Sequence, residues 1–138
     1  MTAEEGEAGV GLAIEPEPGN VIADARLARR LLDEVAAASL GIVLDAANLL
    51  SAATLPRQQA IMTEAVDLLG PNLVLAHAKD IDGAGRVVAP LSGAVDLRAF
   101  VALLRHAGYD GAFVAHGFKE SETASAAEAL RALCEEPS

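Results

Sequence analysis

Four short apolar runs follow one another along the sequence and restrict the possible folds more than any other feature. Their starts are roughly 30 to 40 residues apart, a spacing typical of repeated strand-helix units. Each run is rich in valine, isoleucine, leucine or phenylalanine without polar alternation, as expected for a strand covered on both faces. The sequence therefore predicts four parallel strands, in VGLAIEP (10–16), LGIVLDA (40–46), NLVLAHA (72–78) and GAFVAHG (111–117).

Helical patterns occupy the segments between these runs. In the first of them Leu27, Leu31 and Val35 recur every fourth residue, which places them on one face of a helix. The third pattern starts at Asp96, a suitable N-cap, and stops at Gly108, a residue that tolerates the left-handed conformation after a helix end. We predict helices over 23–37, 58–69 and 96–108, and a fourth that begins at Ser121.

The alternation of four strands with four helices predicts an α/β fold with a parallel sheet. Two architectures fit this order: an open doubly wound sheet, and an arc of a (β/α)8 barrel, which needs about 250 residues when complete. A chain of 138 residues suits the open sheet, whereas the barrel interpretation leaves half of the barrel missing. No linker or low-complexity segment divides the chain, so we expect one domain over 1–138.

Each apolar run finishes with an ionisable side chain at the same relative place. These side chains are Glu15, Asp45, His77 and His116. Because parallel strands share an edge at their C-terminal ends, the four groups are expected to converge where α/β folds bind ligands. Two carboxylates and two imidazoles can coordinate a divalent metal. In the alternative interpretation, each carboxylate caps the following helix and each histidine is an ordinary hydrogen-bonded residue.

The third run continues into a cluster of three ionisable residues, His77, Lys79 and Asp80. Strand alternation puts Lys79 on the face of His77, and Asp80 on the opposite face. We therefore predict that Lys79 reaches the same mouth, as a point charge for an anionic or enediolate oxygen. Asp80 is expected to form a salt bridge or to cap the long loop that follows it, 81–94.

Charge and cysteine content limit the partners of the chain. A formal net charge of −10 repels phosphate backbones and anionic lipids, which disfavours nucleic acid, membranes and a DNA repair nuclease. No apolar run approaches the roughly 20 residues of a membrane span. The acidic start MTAEEGEAG lacks a signal-peptide pattern, and Cys134, an apolar residue of the last helix, has no internal partner for a disulfide. A cytoplasmic location is the expectation.

Four segments of the chain resemble, in order, strands five to eight of the xylose isomerase-like TIM-barrel family of sugar phosphate isomerases and epimerases. They are LAIEPEP, IVLDAANLL, LAHAKDID and SGAVDLRAFVALLRHAGYDGAFVAHG. The ordered set, with His77-x-Lys79-Asp80 before Gly93-x-x-Asp96, carries the resemblance, which covers about residues 9–131. It implies four parallel βα units that form the C-terminal half of a (β/α)8 barrel, and a divalent ion: manganese, magnesium, cobalt or zinc.

The resemblance also implies roles for individual residues. Glu15, Asp45 and His77 match three metal ligands of the family, and His116 stands where the fourth ligand is most often Glu. In the family, two Glu residues remove and return a proton next to a carbonyl, so we assign this task to Glu15 and His116. Asn48 departs from the family's frequent Asp-x-x-His. The expected substrate contacts are Lys79, Asn48 and Glu17, the last on the face of Glu15.

These assignments predict a metal-dependent sugar or sugar phosphate isomerase or epimerase that works through an enediolate. The alternative is a catalytically incomplete half-barrel, or a non-catalytic relative, that binds a metal or a small ligand. Four strands of a barrel leave two open edges and an uncovered inner face. We therefore expect a homodimer, or a separate N-terminal half-barrel as the partner, since the chain looks like one that starts in the middle of a barrel.

Overall fold

The computed structural model describes residues 9–136. Most of the acidic start, on which the signal-peptide expectation depends, lies outside this range. The strands are β1 (Leu12–Ile14), β2 (Leu40–Asp45), β3 (Leu73–Ala78), β4 (Asp80–Ile81), β5 (Val87–Val88) and β6 (Phe113–Ala115). The helices are α1 (Ala25–Val35), α2 (Gln58–Leu69), α3 (Leu97–His106) and α4 (Thr123–Glu135). Within 9–136, every helix is too short or too polar to cross a membrane.

A four-stranded parallel sheet in the order β1-β2-β3-β6 carries the fold. Its strands are the four predicted ones, although β1 and β6 are only three residues long, because each has a single neighbouring strand in the described chain. The strands follow chain order across the sheet, without the reversal that defines a doubly wound sheet. Residues of all four described helices pack in one core against the sheet, as right-handed crossovers in this order require. The sheet is therefore an arc of a barrel, four of its eight units, and the open-sheet alternative is wrong.

The helix-covered face of the sheet holds the hydrophobic core. Ile42, Leu44 and Ala76 point into it and have no exposed surface. Met62 and Phe100 supply bulk from α2 and α3 and are equally buried. Small and branched residues of the strands pack against long residues of the helices and fill the space between sheet and helices closely, as a helix-covered sheet requires.

The opposite face of the sheet, which we call the inner face, is open. Val114 is 43% exposed there, although its neighbours Phe113 and Ala115 pack against the core. A register shift between β2 and β3 pairs Ile42 with Leu73 and Val43 with Leu75, so Val74 is left over as a β-bulge and is 57% exposed. In a closed barrel this face would be the packed interior.

Helix α3 begins and ends as predicted. The Asp96 carboxylate accepts a hydrogen bond from the backbone N–H of Ala99 at 2.9 Å, and so satisfies a free donor of the first turn. Gly108 follows the last turn with φ of 81°, a conformation that favours glycine. His106 lies in the last turn, where the helix dipole favours a basic side chain.

The long loop after β3 contains an antiparallel hairpin of β4 and β5 that the sequence analysis missed. Two-residue strands are too short to show a period. Buried Asp80 holds the loop, because its carboxylate accepts hydrogen bonds from the backbone N–H groups of Gly93 (2.9 Å) and Val95 (3.0 Å). A Cβ at Gly93 would lie 2.4 Å from Asp80 Oδ1, so only glycine allows this approach. The expectation that Asp80 caps the loop is thus confirmed.

Tyr109 gives the fold a measurable pH dependence. Its hydroxyl donates to the Ala112 carbonyl at 2.6 Å, and burial raises its pKa above the ordinary value by disfavouring the phenolate. A raised folded pKa means that this contribution to stability is complete below the unfolded pKa of about 10 and is lost as the pH rises through the folded pKa. Tyr109 is the single tyrosine, and tryptophan is absent, so near-ultraviolet absorbance reports this one group. We expect a higher midpoint in native protein than in urea; equal midpoints would contradict the prediction.

Candidate functional site

The four predicted strand-end residues meet at one edge of the sheet. Glu15 follows the last residue of β1, Asp45 ends β2, His77 lies in β3 and His116 follows β6. The register sets Asp45 opposite His77, and His77 opposite the second residue of β6. Side chains of paired residues in parallel strands point the same way, so these groups project toward the inner face. We call the group of Glu15, Asp45, His77 and His116 the strand-end cluster.

The cluster is compact. One possible ligand atom from each of its four residues lies within 4.8 Å of the other three. His77 Nδ1 is 3.1 Å from Glu15 Oε1 and 3.8 Å from Asp45 Oδ2, and His116 Nε2 is 3.0 Å from the same Asp45 oxygen. The two imidazole rings pack edge to face with centroids 4.6 Å apart. Asp45 Oδ2 is therefore the common contact of both histidines.

The two oxygens of the Asp45 carboxylate have different partners: Oδ1 accepts backbone hydrogen bonds, and Oδ2 contacts the histidines of the cluster. Its side chain has no exposed surface. Oδ1 accepts the backbone N–H of Ala47 at 2.9 Å and that of Asn48 at 3.4 Å, at the start of a single 3-10 turn, Ala47–Leu49. One oxygen thus bonds backbone N–H groups at the turn, and the other is free to face the strand-end cluster. The backbone bonds fix the carboxylate so that Oδ2 faces the cluster.

Lys79 and Asn48 lie next to the cluster and form a chain of polar contacts from Asp45 to Glu15. Lys79 Nζ lies 3.4 Å from Asp45 Oδ2 and donates a hydrogen bond to Asn48 Oδ1. Asn48 Nδ2 in turn donates to Glu15 Oε1 at 3.0 Å. Asn48 thus joins the β1 and β3 sides of the site through one side chain. Its position three residues after Asp45 is the only sequence signal for this bridge.

The electrostatic balance of the cluster depends on Lys79. Its side chain is 12% exposed, so its interaction with buried Asp45 is screened less by water than an ion pair on the surface. Two carboxylates and one ammonium leave one negative charge when both imidazoles are neutral. Gly117 makes room for the lysine, since a Cβ there would lie 3.2 Å from Lys79 Cγ.

Four other residues considered from the sequence lie outside the cluster. Glu17 is exposed, and its carboxylate accepts a hydrogen bond from Asn20 at 3.3 Å, so its role in substrate binding stays a prediction. Asp80 holds the loop described above. His106 is exposed at the end of α3. Cys134 lies in α4, the last helix, as expected, and is exposed.

The donor set and spacing fit a divalent metal. Metal bonds to nitrogen and oxygen of about 2.0–2.2 Å put two ligands on opposite sides of one ion up to about 4.4 Å apart. The four ligand atoms, all within 4.8 Å, need only small side-chain movements to reach this geometry. The atoms that would bind the ion contact one another or side chains at the rim, so binding breaks no backbone hydrogen bond. Glu15, Asp45, His77 and His116 are the residues that would hold it.

Comparison with known protein families gives one match over almost the whole chain. A family model described as xylose isomerase-like TIM barrel matches residues 2–136. A separate comparison with curated proteins finds no match.

Solved structures of twice the length share the fold. A D-psicose 3-epimerase from Clostridium cellulolyticum H10 superposes with a TM-score of 0.74 at 18% identity, over 97% of this chain and 53% of that one. A 3-keto-D-glucoside 4-epimerase from E. coli gives 0.71 at 22% identity, over 94% and 47%. A xylose isomerase domain protein from Planctomyces limnophilus gives 0.71 at 24% identity, over 93% and 46%. The chain spans about half the length of these structures.

Proposed function

Since the chain belongs to the xylose isomerase-like TIM barrel family, we propose that it is a metal-dependent isomerase or epimerase of sugars or sugar phosphates. The proposed reaction moves a proton at the carbon next to a carbonyl, through an enediolate. The observation that carries the proposal is the convergence of two carboxylates and two imidazoles from four separate strands at one mouth. The epimerases that share the fold support the same reaction class.

We propose Glu15 and His116 for proton transfer, His116 through Nδ1, because its Nε2 is the proposed metal ligand. Glu15 is 31% exposed and His116 is 40% exposed, so a substrate on the inner face can reach both, whereas Asp45 is fully buried. Glu15 Oε1 already contacts Asn48 and His77, which leaves Oε2 available to accept a proton. When bound, the metal acts as a Lewis acid that stabilises negative charge on the substrate oxygens. Asp45 holds its place, since its other oxygen is bonded to the backbone.

Lys79, Asn48 and Glu17 are the proposed substrate contacts. The Lys79 ammonium lies beside the buried end of the cluster, where a developing oxyanion would gain a charged hydrogen bond. Asn48 holds this ammonium through its carbonyl oxygen and Glu15 through its amide nitrogen, so it sets the separation of the two. Glu17 belongs to the proposal only as an exposed side chain near the end of β1.

Hydrogen exchange at the substrate carbon tests the proposal directly. The chain is incubated in D2O with manganese or zinc and with D-psicose, D-fructose or D-fructose 6-phosphate, and deuterium next to the carbonyl is followed by NMR. This readout detects proton removal even when no net isomerisation follows. We expect exchange that depends on the metal, stops with a chelator, and is lost in Glu15→Gln.

The matched control is Glu34→Gln, which alters an exposed glutamate paired with Arg30 on α1. It should exchange at the wild-type rate. Exchange that persists in Glu15→Gln, or that is insensitive to the chelator, would exclude the assigned chemistry.

The second candidate function is a catalytically incomplete half-barrel that binds a metal or small ligand. The observation that favours it is that the chain spans about half the length of the structures that it matches. Metal binding by the cluster without exchange on any of the three sugars would support this candidate over the first.

We propose further that a second half-barrel completes the site. β1 and β6 each pair with only one strand of the described chain, and Leu12 and Val114 on them are 43% exposed. An apolar groove of about 230 Å³ between β1 and α1 is also open, and it is lined by Leu12, Ala13, Ile14, Leu31, Val35 and Leu40. Unpaired strand edges beside apolar surface favour association. We expect a homodimer in sedimentation velocity; a monomer at high concentration would contradict this and leave a separate N-terminal half as the partner to test.

The proposal also includes a cytoplasmic location and the absence of nucleic acid and membrane partners. The net charge of −10 supports the absence of nucleic acid and membrane partners. A cytoplasmic location is proposed because the chain has one cysteine and therefore no internal disulfide. Fractionation of cells that express the protein would test the location.

Lys79→Met is expected to weaken substrate binding in the exchange reaction. The change keeps an apolar stem of similar length and removes one charged hydrogen bond, which contributes about 1.5 kcal/mol at the low end of its range, or roughly tenfold in KM. Lys119→Met, which removes an exposed lysine after β6, is the control. A KM for Lys79→Met equal to that of the control would show that the ammonium does not contact the substrate.

A further inference from the structure

The cluster contains equal numbers of nitrogen and oxygen donors, and this balance bears on the kind of ion that it holds. His77 contributes Nδ1 and His116 contributes Nε2, and both nitrogens face Asp45 Oδ2, at 3.8 and 3.0 Å. Hard ions such as magnesium prefer oxygen ligands and usually keep several waters. Imidazole ligands suit zinc, cobalt, nickel and copper. Four donors of mixed nitrogen and oxygen type also match the four-coordinate geometry that zinc adopts.

The charge of the site limits how much any divalent ion gains from the carboxylates alone. Lys79 Nζ lies 3.4 Å from Asp45 Oδ2, so an ammonium competes for the carboxylate that both histidines contact. A hard ion gains its binding energy mainly from negative charge, and this neighbour lowers the charge available to it. A transition ion also gains from bonds to the two imidazole nitrogens, which the ammonium does not oppose. The lysine repels every divalent ion alike, and the bonds to the imidazoles are therefore what favours zinc over magnesium.

We propose that the strand-end cluster selects ions of the zinc and cobalt class over magnesium and manganese, and that His116 decides this selectivity. The inference rests on the metal site of the proposed function and goes beyond it by naming the class of ion. Of the two histidines, His116 is the more exposed, at 40% against 17%, and it follows β6 instead of lying within a strand. A change of donor at this position therefore disturbs the sheet least.

Competition titrations on the full chain test the inference without an activity assay. Zinc, cobalt, manganese and magnesium are each titrated against a chromophoric chelator, for wild type, His116→Glu and His106→Glu. We expect wild type to bind zinc more tightly than manganese. In His116→Glu we expect the ratio of zinc to manganese affinity to fall by at least about tenfold, the low end of the effects of changes close to a metal. His106→Glu adds the same charge at an exposed position of α3 and should leave the ratio unchanged.

The visible spectrum of the cobalt-loaded wild-type protein provides a second readout that needs no variant. Intense absorption bands, typical of four-coordinate cobalt, are expected, whereas the weak bands of six-coordinate cobalt would overturn the inference. Manganese affinity equal to that of zinc, or an unchanged ratio in His116→Glu, would also overturn it while the metal site of the proposed function stands. Failure of all four ions to bind wild type would overturn both.

Discussion

Asp45→Asn is expected to abolish metal binding and, with it, hydrogen exchange on the sugar. Asp45 Oδ2 is the contact shared by His77, His116 and Lys79, and the side chain is completely buried. Asparagine keeps an oxygen for the backbone N–H groups but replaces the anionic ligand by a neutral amide. We expect metal affinity to fall by more than about 100-fold, beyond the roughly 10- to 100-fold effect of groups that only orient a ligand. Isothermal titration with zinc and with manganese measures the loss.

The matched control for this prediction is Asp67→Asn, which alters an exposed aspartate of α2. Circular dichroism establishes that both variants are folded. Because Asp45 Oδ1 accepts two backbone hydrogen bonds, some loss of stability accompanies Asp45→Asn, so affinities are compared only between folded samples. A dissociation constant for Asp45→Asn within a few-fold of that of the control would remove Asp45 from the ligand set.

Asp80→Ala is expected to have the largest effect on stability. It leaves the buried N–H group of Val95 without its acceptor, at about 1–3 kcal/mol, and removes a second hydrogen bond at Gly93, which is exposed and can bond water instead. The loss at Val95 is a substantial fraction of the roughly 5–15 kcal/mol that stabilises an ordinary domain. Urea denaturation measures the loss, and Asp67→Ala is the control. Asp80→Asn, which keeps one acceptor oxygen, should fall between the two and remains measurable if the alanine variant does not fold.

Asp80 has a structural role in the loop and is not part of the strand-end cluster. It lies three residues after His77 in the sequence, yet its carboxylate faces the loop and not the cluster. Asp80→Asn should therefore bind zinc as wild type does once it is folded. A loss of affinity comparable to that of Asp45→Asn would contradict this division and would assign Asp80 to the site.

The positions of the strands and helices could be predicted well from the sequence, for a physical reason. A parallel strand covered on both faces requires a continuous apolar run, and a helix that packs on it requires a stripe of period 3.6, so both leave a local record. The hairpin of β4 and β5 left no such record, since two-residue strands are too short. The β-bulge at Val74 was equally invisible, because it depends on the register between β2 and β3.

The candidate site was predictable in its members but not in its contacts. Strand polarity alone implies that residues ending parallel strands meet at one edge, which is why Glu15, Asp45, His77 and His116 were identified together. The family resemblance added the expected metal and the reaction class. Glu17 was placed on the face of Glu15 by strand alternation, and since β1 ends at Ile14 its role stays a prediction.

The sequence by itself determined the order of four βα units and the polar residue at the end of each strand, because burial and strand polarity act locally along the chain. The family resemblance already implied the half-barrel, and only the tertiary structure decided that Asp45 divides its oxygens between backbone and cluster and that Asn48 joins Glu15 to Lys79. These features depend on strand register and on contacts between residues more than 30 positions apart, such as Asn48 with Glu15 and His116 with Asp45. Local periodicity carries no information about such contacts.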